Sequence, residues 1–342
     1  MSLKLITVLY KYYNYPQIDL LVNDDTYEIA KLLKNINFIH TFSYQQKRDK
    51  RWRQEKNIIF NIFRKYDLSI NLTASDRSIL YTLFASKNSI SAIEKNKKKS
   101  WWKKIFLTNY YHFDTNKHIF LNNLEPLNIL RINHNLEQDP VPPSDLVIDK
   151  MKKRLSALNI EDFIIFHPSA QYEYKIYPKY LRDRLLRYLN SLDIPIIITG
   201  TNNIIDLGIS NEIPNLKNIY NFISKTSLEE YLALSQLSLA YLGMDTLNMH
   251  IAATQNKRIF TIFGPTNLKM WSPWCNDLKG AANENKPMQT YGNITIFQAG
   301  LPCVACGRAG CDDDQGRSEC IHIIDPKRVF FEVKKWCKSE RL

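Results

Sequence analysis

Apolar and polar residues alternate along the first half of the chain in a pattern that predicts short strands separated by helices. Apolar runs over residues 17–22, 38–42 and 66–72 indicate buried strands. Residues 26–35 and 52–65 have the spacing of helices that bury one face. Strands that alternate with helices predict a parallel sheet covered by helices on both faces, and therefore an α/β fold.

The second half repeats this pattern after a proline-rich stretch. Strands are predicted over residues 162–168, 195–200 and 237–242, and helices over residues 179–189 and 228–235. Residues 137–144 hold three prolines within four positions, which neither a helix nor a central strand accommodates. We therefore expect two Rossmann-like domains that face a cleft, one over residues 1–140 and one over residues 145–342.

The most informative segment of the second half covers residues 241–266. Its first apolar run ends at Asp245 and Thr246, a helix-like stretch with His250 follows, and a second apolar run ends at residues 263–266. Both loops would follow the carboxyl ends of parallel strands. Open α/β sheets bind ligands at that edge, so the segment predicts a site for a nucleotide-type ligand.

Composition and charge limit the classes of protein. The chain has 342 residues, of which 44% are hydrophobic, and no apolar run of about 18 residues that would predict a membrane span. Its first residues lack the features of a secretory signal, so we expect a cytoplasmic protein. The net charge of +12 favours a polyanionic partner, either nucleic acid, an anionic membrane surface or a phosphorylated glycolipid. The alternative is that the charge reflects only a lysine-rich composition.

A basic run with two tryptophans covers residues 95–106 (KNKKKSWWKKIF). Such a run can lie on an anionic membrane surface with tryptophan at the level of the headgroups. The alternative is a solvated basic loop whose tryptophans pack against the domain. Nucleic acid is not an expected partner, because both halves predict nucleotide-type α/β domains and not nucleic-acid-binding modules.

Three residues of the second half are candidates for binding a sugar diphosphate. Asp245 can accept hydrogen bonds from sugar hydroxyls, and Thr246 opens a helix whose first amides favour a phosphate. The alternative is that these residues only cap the helix and that His250 is a core histidine. Lys175, in the loop after the strand at 162–168, can neutralise a diphosphate leaving group. Taken by itself, it is equally a surface lysine.

Four cysteines near the C-terminal end form a compact cluster. They are Cys303, Cys306, Cys311 and Cys320. Four thiols within 18 residues of a chain without an export signal predict a closed, structural site for zinc or iron, with Gly307 and Gly310 allowing tight turns around the metal. The alternative is a reduced loop without metal.

Together these segments resemble glycosyltransferase family 9, the bacterial ADP-heptose:lipopolysaccharide heptosyltransferases. The matching motifs are HPSA at 167–170, KIYP at 175–178, DTLNMHIAA at 245–253 and FGPT at 263–266. Residues 15–22 (YPQIDLLV) look like the second strand of the family and the end of the helix before it, and the cysteine segment is similar to one found in some members. The resemblance covers nearly the whole chain and is strongest over residues 160–325.

The resemblance implies a GT-B fold with the acceptor on the N-terminal domain and the donor, ADP-heptose, on the C-terminal domain. It implies an inverting transfer that requires no cofactor, with lipid A–Kdo or core oligosaccharide as the acceptor and peripheral contact with the inner membrane. The donor-binding positions that it implies are Ser169, Lys175, Thr226, Asp245, Thr246, Leu247 and His250. Among these, Lys175 would hold the donor phosphates and Thr226 would border the adenosine.

Two departures from the family pattern lead to alternative functions. Leu247 stands where the family has glycine, which would crowd the phosphate or force another backbone shape. The chain starts inside the first helix of the family, so the first strand and the Gly-Asp loop with the general base are expected to be absent. Candidates for the base by elimination are Asp19, Asp24, Asp25 and Asp76. The alternatives are therefore a homologue that binds nucleotide sugars with impaired catalysis, and a heptosyltransferase with a protein acceptor.

Overall fold

The structure is a computed structural model that describes residues 1–46 and 48–340, and the chain divides into two compact units. The first unit covers Met1–Leu136 and the second covers Glu137–Leu342. The sequence analysis places the boundary at the proline-rich stretch over residues 137–144, which here belongs to the second unit.

The first unit contains six helices and five strands among its described residues. The helices are α1 (Leu3–Tyr12), α2 (Tyr27–Lys31), α3 (Arg48–Ile62), α4 (Asp76–Ala85), α5 (Lys97–Phe106) and α6 (Ile119–Ile129). The strands are β1 (Asp19–Asn23), β2 (Phe38–Phe42), β3 (Leu68–Asn71), β4 (Asn88–Ile93) and β5 (Asn109–His112).

These strands form two separate parallel sheets, one with the order β1-β2 and one with the order β3-β4-β5. The prediction of a strand over residues 38–42 is confirmed. The helix predicted over residues 26–35 is too long, because α2 ends at Lys31 and the backbone turns at Asn35, whose φ of 68° is left-handed.

The second unit contains eight helices and seven strands among its described residues. The helices are α7 (Asp145–Ser156), α8 (Lys179–Leu189), α9 (Ile204–Glu212), α10 (Leu228–Leu237), α11 (Leu247–Thr254), α12 (Leu268–Trp271), α13 (Glu319–His322) and α14 (Pro326–Glu340). The strands are β6 (Ile164–His167), β7 (Ile196–Ile198), β8 (Ile219–Asn221), β9 (Ala240–Met244), β10 (Arg258–Ile262), β11 (Met288–Tyr291) and β12 (Ile294–Phe297).

The strands of the second unit form one sheet with the order β11-β12-β10-β9-β6-β7-β8, in which only β11 runs antiparallel to its neighbour. Every residue of β6, β7 and β9 is buried, as expected for central strands covered by helices on both faces. Strands β6 and β9 approach closely at Gly243, where a Cβ atom would collide with the carbonyl oxygen of His167.

The strand order creates a switch point between β6 and β9. From β6 the chain moves outward through β7 to β8, and then returns to the other side of β6 with β9 and continues to β10. The loops that follow β6 and β9 therefore lead in opposite directions. A crevice forms outside the carboxyl ends of two such strands, which is where open α/β sheets bind ligands.

Candidate active site

The loops after β6, β9 and β10 begin at the same edge of the sheet. His167, the last residue of β6, pairs with Gly243, and Met244, the last residue of β9, pairs with Ile262 of β10. Ser169, Asp245 and residues 263–266 come immediately after these strand ends. The register thus brings three of the sequence motifs to one edge, on both sides of the switch point.

An ion pair between Lys175 and Asp245 spans the switch point. Lys175 follows β6 and Asp245 follows β9, and Nζ of the lysine lies 3.4 Å from Oδ2 of the aspartate. The lysine side chain is 25% exposed and that of Asp245 is 10% exposed. Burial raises the pKa of Asp245, while the ammonium of Lys175 and the Thr266 hydroxyl oppose the shift. The pair therefore places a partly exposed cation beside a nearly buried carboxylate, and the cation favours the ionised form against the effect of burial.

The first turn of α11 starts directly after this carboxylate. Thr246 is the N-cap residue, its backbone is extended, and its side chain makes no capping hydrogen bond. Its hydroxyl lies instead 3.4 Å from the hydroxyl of the buried Tyr241. The alternative in which the Thr246 side chain serves as the helix cap is therefore wrong. The N-terminal amides of α11 and the positive end of its dipole face the edge that holds the ion pair.

Leu247 is the first helical residue of α11 and has ordinary helical backbone geometry, because it is not among the residues with positive φ. Its side chain is 48% exposed. Leu247 thus places an exposed apolar side chain at the helix start on ordinary helical backbone.

A buried histidine links the strand end to α11. The amide nitrogen of Asn248 lies 2.9 Å from Nδ1 of His167, which is also 3.1 Å from the Thr199 hydroxyl. Burial lowers the pKa of His167 to about 4, so its ring is neutral at pH 7. Asn248 therefore ties the first turn of α11 to β6. Asn248 was not predicted from the sequence, because one polar residue in a helix gives no signal of its own.

The other predicted donor-binding residues lie around this edge. Ser169 is buried two residues after β6, and His250 is half-buried within α11. Thr226 is half-buried and lies between β8 and Ser227, the N-cap of α10. It is therefore at the same edge of the sheet, but two strands away from the Lys175–Asp245 pair.

The cysteine segment packs behind the loop at residues 263–266. The amide of Gly307 donates to the carbonyl of Pro265 at 2.6 Å, and a Cβ atom at Gly264 would lie 3.7 Å from Sγ of Cys320. Gly307 and Gly310 have φ of 79° and 89°, as expected for tight turns.

The four thiols differ in exposure. Cys303, Cys306 and Cys311 are exposed, whereas Cys320 is buried, and burial together with the other three thiols raises its pKa to about 11. The donor set suits zinc or iron, but within residues 1–46 and 48–340 no three His, Cys, Asp or Glu side chains converge as a metal requires. We therefore assign no step of the chemistry to a metal. Over the same residues, no helix is long and apolar enough to cross a bilayer.

Comparison with known proteins gives consistent matches. The sequence model of glycosyltransferase family 9 (heptosyltransferase) matches residues 61–299. Lipopolysaccharide heptosyltransferase 3 of Escherichia coli strain K12 is 26% identical over 276 residues, which cover 78% of this chain and 79% of that protein.

Solved heptosyltransferase structures have the same fold. The ADP-heptose lipopolysaccharide heptosyltransferase II of E. coli gives a TM-score of 0.71 at 17% identity, covering 100% of this chain and 95% of that chain. The E. coli heptosyltransferase WaaC with ADP gives a TM-score of 0.69 at 13% identity, covering 98% and 94%.

These likenesses confirm the α/β fold of the GT-B type that the sequence predicts. The family match covers well over half of the chain and includes the Lys175–Asp245 pair and the start of α11. The chain belongs to glycosyltransferase family 9, the heptosyltransferase family.

Proposed function

We propose that this glycosyltransferase moves a heptose from ADP-heptose to a lipopolysaccharide core acceptor, with inversion at the anomeric carbon. The observation that carries the proposal is the Lys175–Asp245 pair, which spans the switch point beside the first turn of α11. A cation, a carboxylate and helix N-terminal amides at one edge provide the contacts that a sugar diphosphate requires. The names of the relatives support heptose as the sugar and lipopolysaccharide as the acceptor.

The proposed step is a single displacement. An acceptor hydroxyl oxygen attacks the anomeric carbon, the bond from that carbon to the β-phosphate oxygen breaks, and its electron pair leaves with ADP. The acceptor proton passes to a carboxylate base. Lys175 and the first-turn amides of α11 stabilise the negative charge that develops on ADP, so the step requires no catalytic metal.

The remaining donor-side residues have separate roles in this proposal. Asp245 accepts hydrogen bonds from donor hydroxyls, Thr246 contacts the diphosphate and Thr226 borders the adenosine. Ser169 and Leu247 line the approach to the phosphates. His250 lies behind the first turn of α11 and supports it.

The four candidate bases of the first unit differ in their surroundings. Asp19 accepts hydrogen bonds from Tyr66 and Asn37; burial raises its pKa, but these bonds and Lys65 outweigh burial and lower it. Asp76 pairs with Lys103. Asp24 and Asp25 are exposed and follow the carboxyl end of β1. We therefore propose one of the latter two as the base.

The test is calorimetric titration of the full chain with ADP and with ADP-heptose, together with Lys175→Ala and Asp245→Ala. Lys179→Ala is the matched control, because Lys179 is an exposed lysine four residues away that pairs with Asp183. We expect micromolar binding by the native chain and by the control. Lys175→Ala should bind both ligands at least tenfold more weakly, since it removes a charge contact to the phosphates. Asp245→Ala should weaken binding of ADP-heptose at least tenfold and that of ADP less, since it removes an acceptor for the hydroxyls of the sugar.

Turnover is measured separately, as ADP release with and without a lipopolysaccharide core acceptor. Donor binding with no ADP release would favour the alternative of a nucleotide-sugar-binding homologue with impaired catalysis. Release only with a protein acceptor would replace the lipopolysaccharide part of the proposal. Unchanged binding by Lys175→Ala would overturn the site itself.

The cysteine cluster is proposed as a structural zinc or iron site that would hold the loop at residues 263–266. Metal binding there requires the three exposed thiols to move toward Cys320, because among the described residues no three ligand side chains converge. Elemental analysis of the purified chain should give about one metal ion per chain. The variant Cys303→Ser/Cys306→Ser should lose this metal, whereas Cys337→Ser, which changes a cysteine outside the cluster, should retain it.

A further inference from the structure

Helix α5 departs from the usual burial pattern, although its Trp102 is partly buried against apolar residues of the core. Its polar residues Ser100 and Lys103 are fully buried, whereas Trp101, Ile105 and Phe106 are 61%, 67% and 65% exposed. A helix on the surface of a globular domain normally turns its apolar stripe to the core and its charges to water. The outward face of α5 is therefore apolar for a reason other than packing of its own unit.

A buried lysine that pairs with two more exposed carboxylates fixes this orientation. Nζ of Lys103 lies 2.6 Å from carboxylate oxygens of both Asp76 and Glu94, and it donates to the carbonyl of Ala74 at 3.1 Å. The Ser100 hydroxyl donates to the carbonyl of Asn96 at 2.9 Å. Rotation of the helix to bury its apolar side would separate Lys103 from both carboxylates, so the exposed apolar face is part of the folded structure.

The charged residues of α5 itself are all positive. Residues 97–106 contain five lysines and no acidic residue. Lys103 is neutralised inside the unit, while Lys98 and Lys99 are exposed beside the apolar side chains. We define the α5 face as Lys98, Lys99, Trp101, Ile105 and Phe106.

These features match one type of partner. An apolar strip with tryptophan and lysines suits the interface of an anionic bilayer, because the apolar groups enter the headgroup region while the lysines contact lipid phosphates. With ten residues, α5 is about 15 Å long, which is enough to lie in the interface and too short to span a bilayer.

We propose that the α5 face docks this protein on the surface of an anionic lipid bilayer. Trp101, Ile105 and Phe106 enter the headgroup region, and Lys98 and Lys99 contact lipid phosphates. The proposal goes beyond the transfer reaction and does not depend on it, since it rests on the surface of the first unit alone.

The test is co-sedimentation of the full chain with vesicles that contain neither acceptor nor nucleotide sugar. Vesicles of phosphatidylcholine with one quarter phosphatidylglycerol are compared with vesicles of phosphatidylcholine alone, at low and high salt. We expect binding to the anionic vesicles that weakens with salt. Lys98→Gln/Lys99→Gln should weaken it about 25-fold, at roughly fivefold per lysine. Ile105→Gln/Phe106→Gln should weaken it by about tenfold or more.

Matched controls distinguish docking through the α5 face from a general effect of net charge or of exposed apolar residues elsewhere. Lys152→Gln/Lys153→Gln removes two exposed charges from α7, and Ile204→Gln removes an exposed apolar side chain from α9. Both should bind vesicles like the native chain. Thermal unfolding checks that each variant is folded.

Any of three vesicle results would overturn the proposal: no binding of the native chain to anionic vesicles, equal binding by Ile105→Gln/Phe106→Gln, or loss of binding in the α7 control to the same extent. If sedimentation equilibrium instead shows a dimer that Ile105→Gln/Phe106→Gln dissociates, and vesicles do not compete with it, the face binds a second copy and the proposal is wrong. None of these results depends on sugar transfer, so the proposed function stands or falls separately.

Discussion

Two lysines, Lys103 in the first unit and Lys175 in the second, both lie beside carboxylates. They differ in how many of the hydrogen-bond donors of the ammonium are occupied. Lys103 is fully buried, and its ammonium is close to two carboxylates and one carbonyl. Lys175 is partly exposed and lies 3.4 Å from one carboxylate among the described residues, that of Asp245. An ammonium donates three hydrogen bonds. The comparison indicates that a cation whose donors are all occupied holds the fold, whereas one that retains donors toward solvent is available to a ligand.

The same contrast separates two helix starts of the second unit. At α10, the Ser227 hydroxyl accepts from the Glu230 amide and the Glu230 carboxylate accepts from the Ser227 amide, which completes a capping box. At α11, the Thr246 side chain makes no such bond. Incomplete polar contacts thus collect at the carboxyl edge of β6 and β9, where a ligand would complete them.

The largest expected effect is a loss of free energy of unfolding that differs between variants of the two lysines. Lys103→Met should lower the free energy of unfolding by about 3 kcal/mol, because it removes the charge-assisted hydrogen bonds of a buried ammonium to two carboxylates and one carbonyl, at about 1 kcal/mol each. Lys175→Met should lower it by only about 1 kcal/mol, because the contact is long and partly exposed and the nearly buried Asp245 can take up a proton when its cation is lost. Urea unfolding of both variants and the native chain measures this difference. Equal losses would remove the distinction between a structural and a ligand-binding lysine.

The next effect concerns the buried His167 behind the site. Burial lowers its pKa from 6.5 to about 4, so the unfolded chain binds the proton more tightly than the folded one. The stability that the neutral ring contributes is complete above pH 6.5 and is lost as the pH falls toward 4. Between pH 7.5 and pH 4.5 this loss amounts to about 2.5 kcal/mol.

Urea unfolding across this pH range, on the native chain and on His167→Gln, isolates the effect. The variant is less stable at pH 7.5, but its stability should fall less steeply with acid, because the titrating ring is gone while other groups titrate in both proteins. Parallel pH profiles would show that the folded chain does not hold His167 neutral.

The secondary structure around the carboxyl edge of β6 and β9 was predicted from the sequence better than that of the first unit, for physical reasons. Strand β9 and the residues after it gave a clear signal, because fully buried strands are apolar and the polar residues that follow them stand out. The helix over residues 179–189 is confirmed at both ends, since its apolar spacing is regular and Pro178 precedes its first residue.

Strand β4 was not predicted, because its sequence NSISAI alternates serine with apolar residues although all but Asn88 are buried. Ser89 and Ser91 are satisfied by hydrogen bonds to residues distant in sequence, Thr108 and Asn71. The burial of Lys103 was not predicted for a similar reason, since this residue lies in a run of lysines. Its burial depends on Asp76 and Glu94, which local composition does not identify as partners.

The smallest expected effect tests the two helix starts directly. Ser227→Ala should lower the free energy of unfolding by about 1 kcal/mol, because it removes the N-cap of α10 and leaves an amide without its acceptor. Thr246→Ala should lower it by less than about 0.5 kcal/mol, because the Thr246 hydroxyl caps nothing. Thr246→Ala should instead weaken ADP binding severalfold in calorimetry, while Ser227→Ala leaves it unchanged. The opposite outcome is that Thr246→Ala destabilises the chain by about 1 kcal/mol or more and leaves ADP binding intact. It would mean that Thr246 supports the helix in solution and that the start of α11 is not a phosphate site.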